Sequence, residues 1–128
     1  MPGDSSEKGG GWIHKASEDE LSIRAILQSG AASTACFLSQ QLAEKSLKGL
    51  LVFHGVPFPK VHDLLQLETL LLDKEPQIKQ LHSNLEILNR YYIETRYPGN
   101  YPEFSDDEAR QAFEAALQVK DFVVERVS

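Results

Sequence analysis

Apolar side chains recur along this chain at the three- and four-residue intervals of a helix, and no stretch shows the two-residue alternation of a half-buried strand. Between about Trp12 and Gln28, the positions Leu21, Arg24, Ala25 and Gln28, with Ile13, Ala16 and Leu27, follow the helical period. Ser17-Glu18-Asp19-Glu20 resembles a capping box, so this helix starts at either Trp12 or Ser17. Ser29-Gly30 breaks the pattern, and a second helix runs from about Ala31 to His54. Gly55-Val56-Pro57-Phe58-Pro59 is a stiff loop, because each proline fixes its own φ and restricts its predecessor. Asp63 to Leu72 is a short apolar helix closed by Asp73-Lys74-Glu75, and Pro76 suits the first position of the next. There Ile78, Leu81, Leu85, Leu88 and Tyr92 form a core seam that continues through Thr95 and Arg96. Pro98-Gly99-Asn100-Tyr101-Pro102 stops it. Ser105-Asp106-Asp107-Glu108 is a second capping box, opening a last helix to about Arg126 that packs through Ala109, Ala112, Phe113, Ala116, Val119, Lys120, Val123 and Val127. Four long helices and a short one predict an all-α, up-and-down four-helix bundle with an additional short helix.

The second helix carries more than a core pattern. At about 100° per residue, Cys36, Ala43, Leu47, Leu50 and Leu51 share one side, and Gln40 falls among them. A further polar strip, Gln41, Lys45 and Lys48 with Glu44 between, lies on the more open side. A buried amide without partners costs roughly 1–3 kcal/mol, so Gln40 requires hydrogen bonds from elsewhere in the fold or from a neighbouring chain.

Length and composition then narrow the picture. A chain of 128 residues, 41% hydrophobic and 25% charged, fits one domain, with residues 1–11 as a polar, glycine-rich flexible tail and 12–128 as the folded unit. The net charge of −6 disfavours indiscriminate attraction to phosphate backbones or anionic lipid, while leaving room for a local basic site. Cys36 is the sole cysteine, which excludes an intrachain disulfide and a cysteine-rich zinc cluster; it reads as a small buried hydrophobe. No apolar run approaches the roughly 20 residues of a membrane span, and the N-terminus lacks the apolar stretch of a secretion signal; the expected location is cytoplasmic.

The combination of Gln40-Gln41, Glu44-Lys45, Lys48 and Leu50-Leu51, then His62-Asp63-Leu64, then Tyr91-Tyr92 and Arg96-Tyr97-Pro98 resembles the HEPN family (higher eukaryotes and prokaryotes nucleotide-binding) over about residues 12–127. The resemblance implies a helical bundle, frequently dimeric, encoded beside small nucleotidyltransferases; the pattern is also similar to the C-terminal helical domain of kanamycin nucleotidyltransferase. Some members of the family are metal-independent ribonucleases with an arginine followed four to six residues later by histidine. This chain departs from that motif. Tyr101, Pro102 and Glu103 stand at the matching distances after Arg96, and Arg24, Arg90, Arg110 and Arg126 also lack a suitably placed histidine.

Each candidate group admits a ligand role and a structural one. His62 and Asp63 lie between a stiff loop and a helix start, where free backbone N–H groups favour an anion; equally, Asp63 caps the helix and pins the loop. Arg96 offers a planar fork for phosphate and Tyr97 a ring for a base, or Arg96 pairs with Glu44 or Asp63 to close the bundle. Lys45 and Lys48 could meet phosphates and Gln40 a base edge, with Glu44 beside them; alternatively Glu44 and Lys48 form an i,i+4 pair while Gln40 bonds across a helix seam. Tyr91 and Tyr92 suit core or interface positions. His14, His54, His62 and His82 form no metal-ligand spacing, and the chain has neither a phosphate loop nor a nucleotidyltransferase signature, so no cofactor or metal is expected. The expected function is a non-catalytic nucleotide-binding module that dimerises, partners a separately encoded minimal nucleotidyltransferase in a toxin–antitoxin-like context, or both. The alternatives are an RNA endonuclease toxin component with non-standard catalytic residues, and a purely structural interaction module.

Overall fold

The computed structural model describes residues 9–94 and 103–128. It is the predicted all-helical bundle: α1 (Gly10–Ser29), α2 (Ala32–Phe53), a short α3 (Leu64–Leu71), a 3-10 turn (Pro76–Leu81), α4 (His82–Glu94) and α5 (Asp106–Val127). Helix α2 is the centre, packed against α1, α3, α4 and α5. It is buried almost all round, which is why a single helix contributes Cys36, Leu42, Ala43, Leu47, Leu50 and Leu51 to the core together with the polar Ser39, Gln40, Glu44, Ser46 and Lys48.

Helix ends follow the local chemistry. Gly30, at φ 85°, closes α1 and donates to the Ile26 carbonyl. Gly55, at φ 70°, closes α2, its N–H bonded to the Val52 carbonyl and that of Val56 to Leu51, the paired bonds of a Schellman turn. Asp63 caps α3 by accepting from the Leu65 N–H, and Ser105 with Glu108 completes the expected capping box on α5. Pro76 opens the 3-10 turn rather than α4 itself.

Helix α1 departs from the expectation in two ways. It starts at Gly10, so Gly10 and Gly11, which composition placed in the tail, form its first turn, and Ser17 caps nothing. Gly9 permits this start by seating its backbone on α2: a Cβ at Gly9 would come within 2.2 Å of the Gly49 carbonyl oxygen. Helix α1 also buries Ala16 and Ile23, whereas Leu21 is 70% exposed. Between those two buried residues, Asp19 bonds Lys45 of α2 and Glu20 bonds Lys120 of α5. The acids that imitate a capping box in sequence are the polar middle of the packing stripe.

The seam runs through Ile78 and Leu81 of the 3-10 turn and Leu85 and Leu88 of α4, then turns to Tyr91, 3% exposed, leaving Tyr92 half-buried. Tyr91 turns inward with its ring edge-on to Phe104 at 4.9 Å, while Tyr92 stacks on His62. Thr95, Arg96 and the Pro98–Pro102 turn lie outside the described residues. On α5 the packing face includes Phe122, and Lys120 and Val127 sit at its margin.

Candidate functional site

Glu44 organises the polar part of the bundle. Its carboxylate is only 5% exposed, and it accepts from Lys48 Nζ at 2.9 Å, one turn along α2. The Gln40 amide Nε2 lies 3.2 Å from Glu44 Oε1 and 3.1 Å from the His62 carbonyl oxygen, so Gln40 ties α2 to the segment entering α3. Gln41 donates to Gln40 Oε1 at 2.6 Å, and more distantly to Glu44 Oε1 at 3.4 Å. His62 Nδ1 stands 3.0 Å from each carboxylate oxygen of Glu44. An ionised carboxylate only accepts, so Nδ1 carries the proton and donates. Among the described residues no buried side-chain polar atom is left without a partner, which answers the requirement that Gln40 set in sequence.

The other side of His62 is open. Its ring, 47% exposed, stacks on Tyr92 at 4.3 Å between centroids and 16° between planes, and Phe37 continues the aromatic row 6.1 Å from Tyr92. A cleft of about 350 Å³ runs along this edge, lined by Lys60, Val61, His62, Asp63, Asn89 and Tyr92. Asn89 braces this lining: its Oδ1 accepts from the Leu64 N–H at 2.8 Å, and its Nδ2 donates to Asp63 Oδ1 at 3.0 Å. The stiff loop, the α3 cap and one face of α4 thus hold the cleft wall in register.

The sequence-predicted residues divide into groups. Gln40, Glu44, Lys48, His62 and Asp63 come together, with Asp63 acting as the α3 cap and Glu44 with Lys48 as an i,i+4 pair. Lys48 is buried beneath two rings, its ammonium 5.4 Å from the Trp12 centroid and 5.8 Å from that of Phe58, and so sits behind the cleft. Lys45 is engaged elsewhere, bonded to Asp19 of α1 at 2.7 Å. Arg96 and Tyr97 lie outside the described residues. Sequence reasoning missed Lys60 and Asn89 and treated Tyr92 as packing. Asn89 and Tyr92 share a helix face at i,i+3, and Lys60 lies two residues before His62, so the signal was local adjacency to a residue already singled out.

What the cleft can do chemically follows from these groups. Lys60 is an ammonium for an anion, the His62–Tyr92 pair is an aromatic surface, and the Nε2 edge of His62 faces away from Glu44. The described residues contain no cluster of histidine, cysteine and carboxylate suited to a metal ion, and no helix among them is long and apolar enough to cross a membrane.

The likeness to known proteins spans nearly the whole chain. The HEPN domain model matches residues 10–127. No curated protein matches the sequence. The crystal structure of TT1696 from Thermus thermophilus superposes with a TM-score of 0.83 at 30% identity, over 91% of this chain and 96% of that one. ST0689, an archaeal HEPN homologue, superposes with a TM-score of 0.78 at 28% identity, over 94% of this chain and 98% of its own. With every described helix inside the matched span, the chain belongs to the HEPN domain family.

Proposed function

We propose that this HEPN domain protein is a nucleotide-binding module, working in the cytoplasm as a homodimer, as the partner of a separately encoded minimal nucleotidyltransferase, or as both, in a toxin–antitoxin-like setting. The observation that carries nucleotide binding is the cleft in which the His62–Tyr92 stack, 4.3 Å apart, lies beside Lys60. An aromatic surface accepts a base, and a neighbouring ammonium accepts a phosphate. Such stacking is worth about 1–3 kcal/mol per base, enough to matter without base-edge contacts. The buried Glu44 network supports the reading by holding the His62 ring in one orientation. Arg96 and Tyr97, which follow α4 in sequence, would extend the site with a forked cation and a second ring.

Calorimetric titration with purine and pyrimidine nucleoside triphosphates tests it. Binding that weakens about tenfold in Tyr92→Ala, the factor following from losing one stacking contact, and that also weakens in Lys60→Ala supports the assignment. A folded sample giving no heat with any triphosphate removes nucleotide binding and leaves the partner role. Light scattering across a concentration series tests the dimer, and a strict monomer removes it.

A further inference from the structure

We propose that Nε2 of His62 is a phosphoryl-acceptor site, modified reversibly by an activated donor of the phosphoramidate or acyl phosphate class. The inference stands on the geometry of this one imidazole and does not require a nucleotide in the cleft.

The four histidines make the argument by contrast, since each has a glutamate partner but in a different arrangement. His14 is exposed and meets Glu18 only at 3.9 Å, through Nε2. His54 uses Nε2 to reach Glu75 at 2.8 Å. His82 bonds Glu68 through Nδ1 at 2.8 Å, and the exposed Glu86 carboxylate lies 3.6 Å from its Nε2, beyond hydrogen-bond distance. His62 and His82 both bond Nδ1 to a buried carboxylate from a half-exposed ring, but Nε2 of His82 has the Glu86 carboxylate 3.6 Å away, whereas Nε2 of His62 has neither a hydrogen bond nor an ion pair among the described residues. Lys48 supplies the counter-charge to Glu44, so the neutral ring protonated at Nδ1 satisfies the cluster and keeps a lone pair at Nε2.

That arrangement suits attack on phosphorus. The Nε2 lone pair forms the N–P bond, and the P–N bond of phosphoramidate, whose nitrogen already carries three protons in its zwitterionic form, breaks with its electron pair going to that nitrogen, which leaves as ammonia. The proton stays on Nδ1. The positive charge that develops on the ring is met by Glu44, a carboxylate already in place and too constrained by Lys48, Gln40 and Gln41 to turn away. Stacking on Tyr92 fixes the ring plane, and Lys60 in the same cleft offsets the charge of the transferred group. Asp63, the nearest other carboxylate along the chain, is tied to the Leu65 N–H and the Asn89 amide.

Incubating the full chain with potassium phosphoramidate at neutral pH, followed by intact mass, peptide mapping and phosphorus NMR, tests the proposal. The expected result is one phosphoryl group on Nε2 of His62, added about tenfold faster than any label on His14, the scale on which a carboxylate at the second ring nitrogen alters imidazole chemistry. Glu44→Gln, shown to be folded by circular dichroism, should lose that advantage. Equal labelling of His62 and His14 overturns the proposal, as does label on Nδ1 of His62 or an undiminished rate in folded Glu44→Gln. If that variant does not fold, the comparison of His62 with His14 inside the wild-type protein decides the matter alone.

Discussion

Both carboxylate oxygens of Glu44 stand 3.0 Å from Nδ1 of His62, which joins the middle of the central helix to the residue just before the α3 cap. Removing that carboxylate strands several donors at once. Glu44→Ala leaves the Lys48 ammonium, 8% exposed, without its counter-ion, and the Gln40 and Gln41 amides short of an acceptor. Breaking one side of a buried ion pair costs about 3–5 kcal/mol, and urea unfolding should show a loss of that size. Glu44→Gln keeps the volume and one acceptor oxygen and should cost less. A loss below about 1 kcal/mol in Glu44→Ala, the range of an exposed pair, would mean the network is not closed to solvent.

The close approach of α1 and α2 predicts opposite effects for two glycines. Alanine at Gly49 would place a Cβ 2.9 Å from Ile13 Cγ1 and 3.2 Å from the Gly9 carbonyl oxygen, so the Ile13 side chain or the α1 backbone must give way. Overpacking of this kind costs about 1–3 kcal/mol, more than the roughly 1 kcal/mol that alanine gains over glycine within a helix. Gly11 meets nothing within 4 Å, and Gly11→Ala should raise stability by about 0.5–1 kcal/mol. Thermal melts of the two variants against wild type decide both signs.

The Glu68–His82 contact makes part of the stability depend on pH. The hydrogen bond from His82 to Glu68, and then the charge of that carboxylate, raise the His82 pKa above its ordinary value. A raised histidine stabilises the fold fully below the unfolded-state value of about 6.5, and the contribution fades as pH climbs through the higher folded value. Denaturant midpoints should therefore fall across the neutral-to-mildly-alkaline range, and His82→Ala or Glu68→Gln should flatten that part of the curve. Proton NMR titration of His82 gives a direct check: a midpoint at or below about 6.5, the free histidine value, contradicts the assignment.

Cys36 should be silent in the native state. Burial, and after it the charge of Glu108, pushes its thiol up to about 12, leaving almost no thiolate near neutral pH. A disulfide reagent should react promptly with urea-unfolded protein and only through opening events in the folded one. Fast reaction in native buffer would place Cys36 at the surface, against its complete burial.

How much of this was legible in the letters depends on how far apart the partners lie. The α3 cap at Asp63 and the capping box at Ser105 were readable because donor and acceptor are two or three residues apart. That Gln40 needs partners was readable from its place in an apolar stripe, and so was the Glu44–Lys48 pair. That Gln40 bonds the His62 carbonyl, 22 positions away, was not, since nothing local aims one at the other. Lys45 shows the same limit: its i,i+4 neighbours suggested a ligand-facing strip, but the choice of Asp19 depends on how α1 crosses α2. Leu21 and Tyr92 were misplaced because periodicity locates a stripe only to within about one position, and one position on a helix is a rotation of about 100°.

Helix α2 has almost no surface of its own, since it touches every other α-helix and carries both the hydrophobic centre and the Glu44 cluster. Adding or deleting one residue within it would rotate everything downstream by about 100°, swinging Leu47, Leu50 and Leu51 out of the interior in the same motion. Tolerated change in this protein is therefore confined to the outer helices, where α1 already presents Leu21 to water, while the central rod must be inherited whole.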